Sequence, residues 1–403
     1  MASPFSVRSF RFQWPADLAT SWAFEMEALI LGWYILETTG SVQQLVIVAA
    51  LVWLGSLFSP FFGVVGDRIG HRTLLCITRG IYALLAGILT ALTLTEALRP
   101  WHVFAIAAVA GLMRPSDMVM RHVLVGQTMQ PGVLLAALGI SRTTSDTARV
   151  AGAVTGTAGV ALVGMGVAYA VVTAMYVVAF FLSLGVARST IRATAAHPLA
   201  ELRRGFAYVW HKPDLLGAFA VAFLVNLLAY PFVLGLLPYV AKDVYAVGQS
   251  GLGWLAAAFW SGALAGSLAV GMSRFRVGAA RTMLGAGVLW FGAVLVFGQT
   301  TWFALGLALL LVTGFVQSFC LTPLAAIMLR SSDEEMRGRV MGVRMLAIWG
   351  LPLGLLAAGP IIAGIGYAAT TALYAGIGLI ATLAIGYRWR QTLWNRAAAA
   401  NAA

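Results

Sequence analysis

Apolar stretches of about twenty residues recur along the whole chain and are separated by short polar turns. A helix needs about 20 apolar residues to cross the hydrocarbon core of a bilayer, where it satisfies its own backbone hydrogen bonds. The sequence therefore predicts an all-α membrane protein with about twelve transmembrane helices. We place these segments at residues 15–37, 42–65, 73–95, 101–123, 134–161, 165–187, 215–240, 250–272, 282–299, 302–329, 340–363 and 367–388.

The composition agrees with this class of protein and argues against several others. Hydrophobic residues form 61% of the chain and charged residues 10%, whereas soluble domains carry about 25% charge. The net charge of +12 does not indicate nucleic-acid binding, because the basic residues recur at alternate turns. Cys76 and Cys320 lie in apolar stretches and the histidines do not cluster, so we expect no metal site and no cofactor. We also expect no catalytic residues and no enzyme, because no polar segment is long enough for a catalytic domain.

The basic residues are distributed unequally between the two sets of turns. With an even number of segments, both termini lie on one side, and the opposite side holds only Arg99 and Lys242. An excess of lysine and arginine marks the cytoplasmic side of a membrane protein. We therefore expect a multi-pass protein of the cytoplasmic (inner) membrane with both termini in the cytoplasm. The basic residues of that side include Arg8, Arg68, Arg72, Arg203, Arg204, Arg337, Arg339 and Arg388.

The segments divide into two sets of six around a polar stretch. In that stretch apolar side chains recur at helical spacing among arginines, as in Leu202-Arg203-Arg204-Gly205-Phe206, so it is expected along the membrane surface. Two pseudo-repeated halves are typical of secondary transporters. We divide the chain into an N-terminal six-helix half at 1–187, a cytoplasmic linker at 188–213 and a C-terminal six-helix half at 214–403.

The turn after the second segment carries the most distinctive motif, Gly63-Val-Val-Gly66-Asp67-Arg68-Ile-Gly70-His71-Arg72. Its charged side chains cannot lie in hydrocarbon, so the turn is expected at a membrane face. Its glycines allow two helix ends to come close, and Gly70 can adopt a positive φ. The spacing G-x-x-x-D-R-x-G-x-R resembles motif A of the major facilitator superfamily, which in that family belongs to the cytoplasmic gate.

The resemblance extends to the start of the eleventh segment. Arg337-Gly338-Arg339-Val340-Met341-Gly342 resembles the RGRVM signature of the transmembrane secretion effector branch, which includes the enterobactin exporter and macrolide efflux proteins. The resemblance implies a major facilitator fold of twelve helices in two pseudo-symmetric six-helix halves. It also implies a cytoplasmic gate, to which we assign Gly63, Asp67, Arg68, Gly70, Arg72, Arg337, Arg339 and Arg344.

The fifth segment partly resembles motif C, the antiporter motif of the same superfamily. Gly139, Gly152 and Gly156 match its glycines, whereas Ala153 replaces the proline that would kink the helix. Gly152 and Gly156 form a small-xxx-small face, which favours close helix packing with or without a role in transport. At the end of the fourth segment, Gln127 stands where many relatives have an acid that pairs with motif A.

Three carboxylates of the first segment, Asp17, Glu25 and Glu27, are candidates for proton coupling. An ionisable group at bilayer depth costs about 2.5–3.5 kcal/mol on insertion scales, so such residues are functional candidates. At about 100° per residue, Asp17 and Glu25 share a helix face with Ser21, whereas Glu27 points nearly opposite. The structural alternative is a protonated glutamic acid that only hydrogen-bonds to a neighbouring helix.

Charges also recur at helical spacing in the fourth and fifth segments. Arg114 and Asp117 lie three residues apart, and Arg142, Asp146 and Arg149 follow an i, i+4, i+7 stripe, so ion pairs within each helix are possible. One interpretation is an internally neutralised lock; the other is a substrate site in which arginines hold an anionic group. In the second half, Asn226 and Gln317 either line a substrate cavity or make ordinary hydrogen bonds between helices.

Together these features predict a secondary active transporter that exports a small organic molecule by alternating access. Proton-coupled antiport is the leading version, with the small-molecule substrate, protons and the lipid bilayer as partners and a monomer as the expected state. One alternative is an uncoupled or import carrier for an anionic metabolite. The other is a transport-dead membrane sensor or scaffold on the same fold.

The arginine distribution predicts which loops react with reagents from outside the cell. In a variant without native cysteines, Ser250→Cys and Thr300→Cys should react with a membrane-impermeant maleimide on intact cells. Ala196→Cys, in the predicted linker, should react only after the membrane is permeabilised. The reverse pattern of labelling would overturn the predicted orientation.

Overall fold

The computed structural model describes residues 3–187, 198–272 and 278–390, which form helices without a β-strand. Ala196, the position chosen for labelling in the predicted linker, lies outside the described residues. In chain order the α-helices are α1 (Arg8–Thr39), α2 (Val42–Leu51), α3 (Ser59–Ile69), α4 (His71–Leu94), α5 (Pro100–Thr128), α6 (Pro131–Ser183), α7 (Pro198–His211), α8 (Pro213–Leu228), α9 (Pro231–Leu234), α10 (Leu237–Tyr239), α11 (Gln249–Met272), α12 (Ala279–Gln299), α13 (Phe303–Arg330), α14 (Arg337–Leu346), α15 (Gly350–Ile365) and α16 (Tyr367–Arg388).

Polar caps, prolines and one glycine set several helix boundaries. The hydroxyl of Ser41 caps α2 by accepting a hydrogen bond from the backbone N of Gln44 at 3.3 Å. Pro100 and Pro213 begin α5 and α8, where an N–H would have no partner within the helix. Gly70 separates α3 from α4 with a φ of 90°, which confirms the positive φ predicted for this position.

Eight helices among the described residues are long and apolar enough to cross a bilayer, or nine if one bent pair counts as a span. The bent pair joins residues 200–211 to 213–228 at an angle of 107°. The multi-pass helical fold is confirmed, whereas the number of twelve spans stays a prediction. The eight helices are His71–Leu94, Pro100–Thr128, Ala136–Ser183, Gln249–Met272, Ala279–Gln299, Phe303–Arg330, Arg337–Ile365 and Tyr367–Arg388.

Local chemistry explains why this number is lower than twelve. α6 runs through the predicted fifth and sixth segments and departs from helical angles at Gly164, where φ is 81°. α1 is long enough to span, but its acidic residues lower its apolar character. The second segment is divided between α2 and α3 by a 3₁₀ turn at Leu54–Phe58. The seventh is divided where α8 ends before Pro231, because proline cannot donate the next backbone hydrogen bond.

The chain forms two compact units. The first comprises Met1–Ala196 with Pro238–Ala257, and the second comprises His197–Leu237 with Ala258–Ala403. The segment 238–257 is joined to the first unit by Lys242, whose Nζ donates to the backbone oxygen of Leu36 at 3.3 Å. The division at 1–187, 188–213 and 214–403 stays a prediction.

In the first unit, α1 lies along α6 at close range. Trp14 Nε1 donates to Thr144 Oγ1 at 2.7 Å, and Trp22 Nε1 donates to Thr155 Oγ1 at 2.8 Å. A Cβ added to Gly156 would lie 2.8 Å from the Cα of Met26, closer than real Cβ contacts come. The close packing predicted at the small-xxx-small face is therefore confirmed, since a larger side chain would separate the helices.

Apolar side chains of five helices form the main core of the first unit. α1, α2, α4, α5 and α6 all contribute to it, so this core fixes the positions of the helices that carry the intramembrane charges. Its buried members include Met26, Ile30, Ile35, Tyr82, Ala86, Ile106, Tyr169, Val172 and Tyr176.

Aromatic contacts organise the core of the second unit. The rings of Tyr230 and Trp290 meet edge to face with centroids 5.0 Å apart, and those of Phe232 and Tyr374 do so at 5.4 Å. Tyr374 also donates its hydroxyl hydrogen to the backbone oxygen of Gly354 at 2.8 Å. Such perpendicular pairs add about 0.5–1.5 kcal/mol each beyond the burial of their area.

The linker residues that are described form the helix α7, as their periodicity predicts. α7 packs on α14, and a Cβ added to Gly205 would lie 3.0 Å from the Cβ of Arg339. Phe206 and Trp210 stay 41% and 60% exposed on α7. The expected position of this helix along the membrane surface stays a prediction, which two exposed aromatic side chains among arginines favour.

The contact between α1 and α6 predicts the effect of one added methyl group. Gly156→Ala should lower the free energy of unfolding by about 1–3 kcal/mol, because the new methyl group would overlap the α1 backbone. Thermal unfolding of the purified protein in detergent measures the change. Gly139→Ala is the matched control, since nothing lies within 4 Å of its added Cβ. Equal unfolding temperatures for the two variants would contradict the close packing.

Candidate functional site

A buried network of two acids and two arginines joins three helices of the first unit. Arg79 of α4 binds Asp17 of α1 and donates through Nε to Oδ1 of Asp117 of α5 at 3.1 Å. Arg121 of α5 donates through Nε to Oδ2 of Asp117 at 2.6 Å and lies 3.9 Å from Asp17. The side chain of Arg79 is 0% exposed and those of Asp17 and Asp117 are at most 7% exposed. The network has no net charge.

Neutral side chains complete this ion network. Arg79 donates through Nη1 to Ser183 Oγ of α6 at 2.7 Å, and Arg121 donates through Nη1 to Ser21 Oγ of α1 at 2.8 Å. Gln13 Nε2 donates to the backbone oxygen of Arg121 at 2.8 Å. Buried charges are tolerated when their remaining donors and acceptors are also bonded, so these contacts make the network possible within the helix bundle.

Sequence reasoning singled out Asp17 and Asp117 but missed both of their arginine partners. Arg79 lies inside the predicted segment 73–95 and Arg121 inside 101–123. Both are therefore ionisable residues at bilayer depth, and the rule that selected Arg114 would have found them too. The i, i+4 spacing of Asp117 and Arg121 on α5 also indicated one of these pairs, whereas the bonds of Arg79 to other helices carry no signal in the spacing along the chain.

Arg114 packs against two aromatic rings. Its guanidinium carbon is 3.4 Å from the centroid of the Phe24 ring and 3.8 Å from that of the Trp53 ring. The pairing with Asp117 that the spacing allowed is not formed, because Asp117 is bonded to Arg79 and Arg121. Cation–π contacts of this kind contribute about 2 kcal/mol or more when they are shielded from water.

On α6, the charge stripe pairs within its own helix, as its spacing predicts. Asp146 Oδ2 accepts from Arg142 Nε at 3.0 Å, and Asp146 Oδ1 lies 3.6 Å from Arg149 Nη1. The Asp146 side chain is 1% exposed, whereas that of Arg142 is 60% exposed. The aspartate is thus neutralised from both sides along the helix, which lowers the free-energy cost of placing it in the membrane.

A cavity of about 140 Å³ in the first unit connects these groups. Hydroxyl groups of α1 and α6 contribute to its wall, along with the rings of Phe24 and Tyr82. Six of the predicted or newly found charged residues line it, which are Asp17, Arg114, Asp117, Arg121, Arg142 and Arg149. A cleft in which aromatic rings and several polar groups converge is typical of a small-molecule site.

The two glutamates of α1 have different surroundings. Glu27 accepts hydrogen bonds from the hydroxyls of Tyr169 and Tyr176 of α6, at 2.7 and 2.8 Å. Glu25 is buried, and its Cβ would lie 2.8 Å from a Cβ added to Gly152. Glu27 thus faces the tyrosines near the end of α6, whereas Glu25 lies beside Gly152 of the same helix. Their role in coupling stays a prediction.

The turn that carries motif A is compact, and its acid, Asp67, pairs with His71. Asp67 Oδ1 lies 3.2 Å from His71 Nε2, and His71 Nδ1 lies 3.4 Å from the amide nitrogen of Gln127. A Cβ added to Gly66 would lie 2.9 Å from Met120 Sδ, so a larger residue there would displace the Met120 side chain. Arg72 donates to the backbone oxygen of Leu184. Gln127 therefore reaches the motif through His71, in the place where the resemblance expected an acid.

On the second unit, Arg339 of α14 binds Glu201 of the linker helix α7. The hydrogen bond from the Arg339 guanidinium lowers the pKa of Glu201 below its ordinary value. Lys212 adds a second link, since its Nζ lies 3.2 Å from Asp333 Oδ1. Arg337, Arg339 and Arg344 all lie on α14, and their assignment to a gate stays a prediction.

The two polar candidates of the second half differ in their hydrogen bonds. Asn226 Nδ2 donates to the backbone oxygen of Ala222 in its own helix at 2.8 Å. Gln317 is 3% exposed, and its Oε1 has no hydrogen-bond partner among the described residues. A role in substrate binding stays a prediction for both residues.

Comparison with solved structures identifies the fold. The nucleoside transporter NupG superposes with a TM-score of 0.74 at 12% identity, over 93% of this chain and 98% of that chain. The human organic anion transporter MFSD10 gives a TM-score of 0.68 at 17% identity, over 94% and 99%. At such identities the likeness shows the fold alone. The multi-pass helical fold is therefore the fold of the major facilitator transporters.

Residues 1–403 match the family described as transmembrane secretion effector, and the chain belongs to that family. The family predicted from the RGRVM signature and motif A is thereby confirmed. A curated relative, the multidrug efflux pump Tap of Mycolicibacterium fortuitum, is 30% identical over 173 residues. That match covers 43% of this chain and 42% of the relative, so it spans less than half the length of the pump.

The ion network predicts a large difference between two arginine substitutions. Arg79→Gln should lower the free energy of unfolding by about 3–5 kcal/mol, because it leaves buried acids short of a partner. Arg142→Gln is the matched control and should change it by about 0–1 kcal/mol, because that side chain is 60% exposed. Denaturant unfolding in detergent micelles measures both changes.

A second substitution checks that the loss of charge, and not the loss of side-chain volume, causes the lower stability of Arg79→Gln. Asp17→Asn added to Arg79→Gln should recover part of the lost stability, because one unpaired negative charge is removed. If Arg79→Gln were no more destabilising than Arg142→Gln, the network would not be a stabilising feature of this unit.

Proposed function

We propose that this transporter exports a small organic molecule by alternating access and couples export to inward proton movement. The observation that carries the proposal is the cavity of the first unit, in which acids and arginines meet inside a bundle of membrane-length helices. Such charges raise the free energy of insertion, so a protein with no substrate or proton to bind would have little use for them. The partial likeness to an efflux pump supports the direction of transport.

Among the acids of the first unit, Glu27 is the strongest candidate for proton binding. Asp17, Asp117 and Asp146 are paired with arginines, and protonating them would discard those ion pairs. Glu27 is held by two hydroxyls instead. A carboxylic acid at that position can still accept from one tyrosine and donate to the other, so a proton can come and go without leaving a buried group unbonded. Glu25 is the second candidate.

In the alternating-access cycle, the protonation of Glu27 would favour one conformation and its deprotonation the other. A ligand or proton shifts such an equilibrium only as far as its affinities for the two states differ. Reversible protonation of a glutamate with two neutral donors satisfies that condition if the tyrosine contacts differ between the states. The expected partners remain a small organic substrate, protons and the bilayer, with the transporter acting as a monomer in the cell membrane.

The coupling proposal predicts a specific loss on neutralising Glu27. In liposomes loaded with a pH-sensitive dye, Glu27→Gln should abolish substrate-dependent proton movement while substrate binding is kept, because glutamine preserves the size but cannot change its charge. Candidate substrates come from a thermal-stabilisation screen of small organic molecules on the wild-type protein. Tyr169→Phe is the matched control, which keeps the carboxylate and should alter the pH dependence without abolishing coupling.

The same assay separates the alternative functions. Full proton coupling in the double variant Glu25→Gln, Glu27→Gln would show that neither glutamate carries the proton. The proton-binding role would then be assigned to Asp17, Asp117 or Asp146. Substrate flux that ignores the pH gradient indicates an uncoupled or import carrier. The absence of flux for every stabilising compound would leave the sensor or scaffold as the function.

A further inference from the structure

We infer that the guanidinium of Arg114 is a subsite for a carboxylate group of the transported molecule. The inference rests on the proposed function, because it names a chemical feature of the substrate bound in the same cavity. It is independent of the direction of transport and of proton coupling.

The Arg114 guanidinium packs against two aromatic rings. The ring centroids of Phe24 and Trp53 lie 3.4 and 3.8 Å from its central carbon. Aromatic rings attract a cation without accepting hydrogen bonds at the edge of its guanidinium, so these contacts leave the edge donors to another acceptor.

The edge of the guanidinium carries its hydrogen-bond donors. A guanidinium carries its five N–H donors in its own plane and cannot lose its charge in ordinary conditions. Nη1 of Arg114 is buried and has no hydrogen-bond partner among the described residues. An unpaired buried donor of a charged group is unfavourable, so this edge favours the binding of an acceptor.

The charges that line the cavity favour an anion. Four arginines and two aspartates line it, and both aspartates already accept hydrogen bonds from Arg79 or Arg121. Among the lining groups, guanidiniums therefore outnumber carboxylates, which favours an anionic ligand over a cationic one.

The guanidinium edge and the aromatic lining also restrict the shape of the ligand. A carboxylate is planar and accepts two parallel hydrogen bonds from the edge of a guanidinium, which a neutral amide cannot match. The rings of Phe24 and Tyr82 also line the cavity, so a flat apolar body attached to the carboxylate would have aromatic surfaces to pack against. The fitting ligand is therefore an organic carboxylate with an aromatic or similarly flat body.

The test compares acids with their neutral amides on the full-length protein in detergent. Benzoate and salicylate are the probes, benzamide and salicylamide their isosteric controls, and sodium chloride keeps the ionic strength constant. The two acids should raise the unfolding temperature of the wild type in a saturable way, and the amides should not. Equal shifts for acid and amide in the wild type would overturn the inference without any variant.

Substitutions then locate the site. Arg114→Gln should weaken the apparent Kd for salicylate by about tenfold or more, as expected for losing hydrogen bonds to a charged group. Arg114→Lys should weaken it too, because lysine keeps the charge but lacks the planar fork. Arg388→Gln, a matched removal of an exposed arginine, should bind as the wild type does. Wild-type affinity in Arg114→Lys would show that only charge matters and would overturn the subsite.

The results of this experiment and of the flux assay can contradict the subsite and the proposed function independently. Acid binding at Arg114 without any pH-driven flux would leave the subsite standing and end the proposal of coupled export. Coupled flux of neutral compounds, together with no preference for acids, would leave export standing and end the carboxylate subsite.

Discussion

The buried ion network around Arg79 is the contact on which the first unit depends. One guanidinium binds an acid of α1 and an acid of α5 and also reaches a hydroxyl at the end of α6. Removing one partner from such a network leaves a charge inside the bundle, which is far less favourable than having no charge there. Because the network engages Asp17 and Asp117, it also decides which charges in the cavity remain available to a ligand.

The carboxylates of the first unit therefore fall into two groups with different chemistry. Asp17, Asp117 and Asp146 are each paired with arginine, so their charge is part of the structure. Glu27 accepts hydrogen bonds from two tyrosine hydroxyls. A hydroxyl can donate to a carboxylate or accept from a carboxylic acid, so it can bond to Glu27 in either protonation state. The neighbours of a carboxylate, more than its depth in the membrane, separate a fixed ion pair from a group that can exchange a proton.

The parts of the fold that were predictable from sequence are those that depend on local physics. The hydrocarbon core of a membrane requires long apolar helices, and the turn at Gly70 adopts a positive φ that glycine allows. The charged residues at i, i+4 and i+7 of α6 pair with one another, as their spacing indicates. The same spacing rule misled for Arg114, since Asp117 found its second partner in Arg79, 38 residues away. Pairs between helices depend on which faces meet, and the pattern of a single chain does not contain that information.

Arg114 shows how a protein can keep a charge inside a membrane and still leave it usable. A carboxylate bonded to this arginine would occupy the donors at its edge, as happens to Arg79. The rings of Phe24 and Trp53 pack against Arg114, and the attraction of aromatic rings for a cation lowers the free-energy cost of burial without using an N–H group. The two arginines are therefore not equivalent: Arg79 is held by its bonds, whereas Arg114 is stabilised in a way that preserves a site for an anion.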